Sequence, residues 1–388
     1  MAEASIVALV PVSTYDQSEV DRAVHTGMRL LGGIGQFVRP EEKILLKPNL
    51  LTHAVPQKAI TTHPAVLSAV VKLLQEEGCH HLSYGDSPGS PTTNPKKVAA
   101  VSGLDEAAQA LNIPLGDFDH GRTVSFPEGR SARSFCLCNA VTDCDALINL
   151  CKMKTHALER ITGAVKNMYG CILGVNKAAG HARHPSSETF ADMLCDLHRC
   201  VRPRLHIMDG ITAMEGNGPS SGTPTAMNVL LFSADAVALD SVFSALVALD
   251  PATVPTCTMG QEQGIGVYDW DKITVRTPEG DLSVQEAAAK YGKPEFDVYR
   301  GEMKKHLLSK LMPLLPFLQD RPKADMKKCV ACGICEEACP VEGKAVHSGK
   351  GKKAVYDYKK CIRCYCCQEM CPAKAIEVYH HPLKKLFE

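Results

Sequence analysis

Cys329-Val-Ala-Cys332-Gly-Ile-Cys335-Glu-Glu-Ala-Cys339-Pro340 and Cys361-Ile-Arg-Cys364-Tyr-Cys366-Cys367-Gln-Glu-Met-Cys371-Pro372 are one pattern written twice. Each copy reads C-x2-C-x2-C-x3-C-P. A lone C-x2-C suits zinc, but two complete four-cysteine runs, each closing in Cys-Pro, are hard to fit to a zinc ribbon. Two-residue gaps let three thiolates of one tight loop reach three points of a compact inorganic core. The fourth point lies beyond that loop. The proline then turns the chain away.

Bacterial ferredoxins hold cubane clusters with this run, the fourth cysteine of each motif serving the other cluster. The expected cofactors are two [4Fe–4S] clusters, with crossed ligands. Cys329, Cys332, Cys335 and Cys371 form one set; Cys361, Cys364, Cys367 and Cys339 form the other. Ala345-Val346 and Ala375-Ile376 follow as small apolar packing positions. Cys366 stands outside the pattern and reads as a packed or weakly exposed thiol. Such clusters move single electrons.

The chain has 388 residues, more than one domain needs. The expected division is a body at 1–318, a linker at 319–326 and a two-cluster domain at 327–388. Nine of the 18 cysteines lie outside the repeated motif without framework-like spacing, so they read as reduced thiols. From Asp320 onward there are 14 Lys plus Arg against 9 Asp plus Glu, and the rest has 29 against 34. The basic excess of the tail balances cluster charge, and no nucleic-acid partner is expected. No apolar run approaches a membrane span, and the first residues carry no export leader, so the cytoplasm is the expected location.

Before the tail, short apolar runs alternate with helical patterns, which predicts a large α/β body with a mixed or parallel sheet, followed by a small α+β ferredoxin-like domain. Strands are expected at 5–10, 43–46, 81–84, 146–150, 205–208 and 229–232. Helices are expected at 18–31, 64–77, 161–171, 189–201 and 236–249. A connecting helix is expected at 303–315. Polar motifs follow the strands, at the sheet edge where ligands bind in open α/β folds. They are Lys47-Pro48-Asn49, Gly85-Asp86-Ser87, Lys152-Met-Lys154-Thr155-His156 and Asp209-Gly210. Residues 152–184 are dense in cations and imidazoles beside glycines, a composition that suits a carboxylate or phosphate. The stretch from Asp209 through Glu215 and Asn217 to Gly222 reads as a flexible acidic loop able to form an anion nest.

Lys47-Pro48-Asn49, Gly85-Asp86-Ser87-Pro88-Gly89, Lys154-Thr155-His156, Lys166-Asn167-Met168-Tyr169-Gly170 and Met208-Asp209-Gly210 through Pro219 carry a resemblance. The body resembles domain-of-unknown-function family 362, here fused to a bacterial-type two-cluster ferredoxin domain. The resemblance implies an iron–sulfur protein typical of anaerobic metabolism and supplies no substrate. The expected function is a reductase, fed by an external ferredoxin or flavoprotein, acting on a small anionic substrate. Lys154, His156 and His184 are the expected catalytic residues. Lys47, Asn49, Asp86, Ser87, Lys166, Asn167, Asp209, Glu215 and Asn217 are expected to bind substrate. The alternative is a non-catalytic electron carrier or maturation partner docking another redox protein.

Overall fold

The computed structural model describes residues 4–89, 93–301 and 319–381. In chain order the body's strands are β1 (Ser5–Pro11), β2 (Ile44–Pro48), β3 (Leu82–Tyr84), β4 (Gly121–Ser125), β5 (Ser134–Cys138), β6 (Ala146–His156), β7 (Arg160–Thr162), β8 (Leu205–Glu215), β9 (Thr223–Ser233), β10 (Ile273–Thr277) and β11 (Gly280–Leu282). Apart from the β4–β5 hairpin they form one mixed sheet, ordered β11-β10-β1-β9-β8-β6-β2-β3, with β7 added on β6. Neighbours among β3, β2, β6 and β8 are parallel, and β9 is antiparallel to β8 and β1.

Side chains alternate between the two faces of a strand. Ala8, Ile44, Leu46, Ile148 and Leu150 pack under the helices Gln17–Leu30 and Pro64–Glu76. Val7, Leu9, Leu45, Leu147 and Cys151 pack under Ser187–Val201 and Ala236–Leu246. Burial on both faces explains why the strands read as continuous apolar runs.

Two strands run well past the ends that the sequence patterns suggest, and one expected helix is broken up. β6 continues through Lys152, Lys154 and His156, which keep the face of Ile148 and Leu150 and are all buried. β8 continues to Glu215, so the first half of the segment expected as a flexible loop is strand, held by the burial of Ile211, Ala213 and Met214. The helix expected at 161–171 is instead β7, the short helix Ala164–Asn167 and a 3-10 turn at Met168–Cys171. At Gly170 a Cβ would lie 1.7 Å from Asp86 Oδ1, so only glycine lets this turn close over the sheet edge.

The small domain pairs β12 (Arg321–Ala324) with β15 (Ile376–Tyr379), and β13 (Val346–Gly349) with β14 (Lys352–Tyr356). Residues 321–324 were expected in a linker; they are an edge strand of this domain, because β15 needs a partner. The connecting helix expected at 303–315 lies outside the described residues.

Candidate functional site

The two cysteine motifs fold around two small voids. One is lined by Cys329, Cys332, Cys335 and Cys371, the other by Cys339, Cys361, Cys364 and Cys367. This grouping is the one that the crossed arrangement of two-cluster ferredoxins would use. Each quartet offers four thiols around a gap, as a cubane with four iron corners requires, and backbone N–H groups already point at the sulfurs. Ala345 N donates to Cys339 Sγ at 3.3 Å and Ala375 N to Cys371 Sγ at 3.3 Å. Tyr356 Oη donates to Cys367 Sγ at 3.5 Å. Hydrogen bonds to sulfur are among the features that set a cluster's potential. Among the described residues no three Cys, His, Asp or Glu side chains are placed to hold a single metal ion.

The tail docks onto the body through the turn after β8. Gln368 Nε2 donates to Asn217 Oδ1 at 2.7 Å and to Gly218 O at 3.0 Å. Asn217 Nδ2 donates to Ile376 O at 2.9 Å, and Ser220 Oγ to Glu369 O at 2.6 Å. His156 completes the seam. Its Nδ1 accepts from Leu158 N and Glu159 N, which leaves the proton on Nε2, 2.9 Å from Glu369 Oε1. Burial lowers the His156 pKa. Burial alone would raise that of Glu369, but His156 and Lys166 outweigh it and hold the carboxyl well below the usual range.

Docking leaves a cavity of about 710 Å³, partly open to solvent, between body and tail. The body contributes Asn49, Asp86, Ser87, Lys154, Thr162, Lys166, Asn167, Tyr169, Lys177 and His181; the tail contributes Glu337, Cys366, Glu369 and Cys371. Lys154 is fully buried and donates to Asn49 Oδ1 at 2.7 Å and Ile60 O at 2.8 Å. Burial, reinforced by Lys166, draws its pKa down to about 7. Lys177 donates to Ser87 O and, at 2.8 Å, to Pro88 O, and burial draws its pKa to about 8. His181 stacks on Phe190 with centroids 4.2 Å apart and stays neutral, its pKa pushed by burial to about 3. Lys166 sits over the Tyr169 ring at 5.6 Å, and among the described residues no hydrogen bond or ion pair engages its ammonium. With the exposed Lys58 it is a wall cation open to an anion, though its charge also acts on Glu369 across the cavity.

The expected site residues therefore divide. Asn49, Asp86, Ser87, Lys154, Lys166 and Asn167 share the cavity wall. Lys47 lies behind it, fully buried and paired with Asp86 at 2.8 Å, since a buried ammonium needs a counter-charge. Asp209 is likewise spent on Lys152 at 2.7 Å and Tyr15 at 2.8 Å. Glu215 accepts from Asp297 N at 3.0 Å. Asn217 and His156 hold the seam. His184 is away from the wall, its Nδ1 3.5 Å from Ser131 Oγ. Cys366, expected as a packed or weakly exposed thiol, is half-buried on the cavity wall. The sequence reading missed Glu369 and its counterpart Glu337 in the first motif; an acid inside a cysteine motif was the only signal, and it names no partner.

The profile of the domain of unknown function DUF362 matches residues 44–245, and that of a 4Fe-4S dicluster domain matches residues 321–372. A thylakoid-associated protein of Synechocystis sp., sll1697, is 37% identical over 260 residues, covering 67% of this chain and 79% of that protein. Among solved structures, the lactate racemase apoprotein from Thermoanaerobacterium thermosaccharolyticum is similar at 11% identity with a TM-score of 0.39; the match covers 62% of this chain and 57% of that one. No helix among the described residues is long and apolar enough to cross a membrane. The tail is thus a 4Fe-4S electron-transfer domain, joined to an α/β body with an anion-compatible cavity.

Proposed function

We propose that this chain, which belongs to the DUF362 family and ends in a 4Fe-4S dicluster domain, is an iron–sulfur reductase acting on a small anion held at the seam. Each cysteine quartet holds one [4Fe–4S] cluster in this reading, and an external ferredoxin or flavoprotein is the donor. Such clusters, when bound, supply single electrons at low potential. The residues of the chain do the rest. Lys166 takes the substrate's charge, with Lys177 adding positive potential from the same wall. Lys154, near neutrality at about 7, holds a proton that it can give to a reduced substrate and recover from water. The His156–Glu369 pair keeps the tail seated so that the wall stays closed. The cytoplasm remains the proposed location; the association with thylakoids is said of the Synechocystis relative.

One observation carries this reading. Cys371 borders both the void of its own quartet and the large cavity. An electron held at that quartet is one cysteine away from a bound anion, whereas a pure carrier has no need of a lysine-lined cavity beside it. The test is anaerobic. Protein with verified iron and sulfide, reduced by a low-potential chemical reductant, is screened against organic carboxylates and phosphates, beside Lys166→Ala and Lys154→Met. Turnover in the wild type, lost in both variants with iron content unchanged, is the expected result. No turnover, together with a stable complex with another redox protein, would favour a carrier or maturation partner instead.

A further inference from the structure

Lys154 is the first member of a buried chain. Its ammonium donates to Asn49 Oδ1 at 2.7 Å, Asn49 Nδ2 donates to Asn167 Oδ1 at 2.8 Å, and Asn167 Nδ2 donates to Asn149 Oδ1 at 2.7 Å. Asn149 Nδ2 reaches His206 Nδ1 at 3.0 Å, and His206 Nε2 faces His198 Nε2 at 3.4 Å. An amide NH2 only donates, so His206 Nδ1 accepts and the ring proton sits on Nε2. Every link then donates the same way, from the cavity toward the helix Ser187–Val201. None of the six side chains is more than 8% exposed.

We propose that Asn49, Asn167, Asn149 and His206 are positioning residues for Lys154, a one-way hydrogen-bond chain that keeps its ammonium charged and fixed at the cavity wall. The use made of that charge rests on the reductase reading above. The physical reason is alignment. Each amide presents its oxygen toward the lysine and its N–H away from it, and in a low-dielectric interior each bond polarises the next. The summed dipoles favour a cation at the head of the chain. They act against burial, the largest influence on Lys154, and against the like charges of Lys166, on the helix Ala164–Asn167, and Lys152, on β6. Glu369 from the tail and Asp86 after β3 act with the chain. Were these amides only filling the core, their direction would be of no consequence to Lys154, because Asn149 and His206 do not touch it.

The test reads the protonation of Lys154 directly. [13Cε]lysine spectra of the oxidised holoprotein are followed against pH, with the Lys154 resonance assigned by its loss in Lys154→Met. Asn149→Leu and His206→Leu interrupt the chain at a distance, and each is expected to lower the Lys154 midpoint by about one unit. His206→Gln returns an acceptor to Asn149 and is expected to restore the wild-type value. An unchanged midpoint in His206→Leu, with circular dichroism intact, overturns the proposal; so does a fall that His206→Gln fails to reverse. The His206 pair suffices should Asn149→Leu not fold. Because no substrate is used, absent turnover would sink the reductase reading without touching this result, and the converse also holds.

Discussion

The core cluster of the small domain is Ala324, Ala345, Val346, Ala354 and Ile376 with Cys335, Cys339 and Cys367, and Cys364, Tyr365 and Ala375 are buried beside it. The body instead covers both faces of its sheet with leucine, isoleucine, valine and phenylalanine. So few apolar side chains contribute at most about 1.5–3 kcal/mol each, and alanines far less, against an ordering cost of about 1–2 kcal/mol for every residue fixed. The tail cannot stand on that core, so its metal centres serve as its core as well as its chemistry. The body has a large apolar core of its own and pairs the buried Lys47 and Lys152 with Asp86 and Asp209, although both Glu159 carboxyl oxygens are buried without a partner. One chain thus joins a metal-dependent part to a self-sufficient one, and the cavity lies where they meet.

Removing iron should break the comparison most visibly. Anaerobic chelation is expected to abolish amide-exchange protection across β12 to β15 while leaving β6 and β8 protected; loss of both together would show that the body also depends on the clusters. Next comes the pair behind the wall. Asp86→Ala strands the Lys47 ammonium without a counter-charge, and urea unfolding of the body should lose about 3–5 kcal/mol with the iron content of the folded protein unchanged.

The seam has a sign that pH can read. The Glu369 carboxyl is held below its unfolded value, so its contribution is complete above about pH 4.3 and is lost only as pH falls through the lower folded value. The Glu369 contribution to exchange protection at the turn of Asn217 and Gly218 should therefore be flat from neutral pH down to about pH 5, whereas the lowered pKa of His156 makes protection fall as pH drops below about 6.5. Glu369→Gln should weaken it across that range by about 1–3 kcal/mol. The smallest structural effect belongs to Lys166→Ala, which should change unfolding by no more than about 0.5 kcal/mol while weakening anion retention at least about tenfold.

What the sequence made legible follows the range of each interaction. Three of each cluster's ligands are local, because a tight loop must bring three thiolates to one core; the fourth, from the other motif, follows from the ferredoxin pattern. The wall residues Asn49, Asp86, Lys154 and Lys166 could be read because ligands gather beyond strand ends. Their partners could not. Lys47 with Asp86, Lys152 with Asp209, and His156 with Glu369 join segments far apart in the chain, and nothing in a buried lysine's neighbours in sequence shows that it is already neutralised. The turn at Asn217 looked like an anion nest for the same reason. Its glycines answer to close packing within the body, where a Cβ would lie 2.3 Å from Thr155 O at Gly218 and 2.3 Å from Glu215 O at Gly222, while Asn217 and the Gly218 carbonyl serve the docking of the tail.

Iron and acid-labile sulfide, counted in oxygen-free protein alongside the electron paramagnetic resonance of its reduced form, test the central claim most directly. About eight irons and eight sulfides per chain, with two interacting paramagnets on reduction, are predicted. Colourless protein, or a stoichiometry of one or two isolated ions, would contradict it.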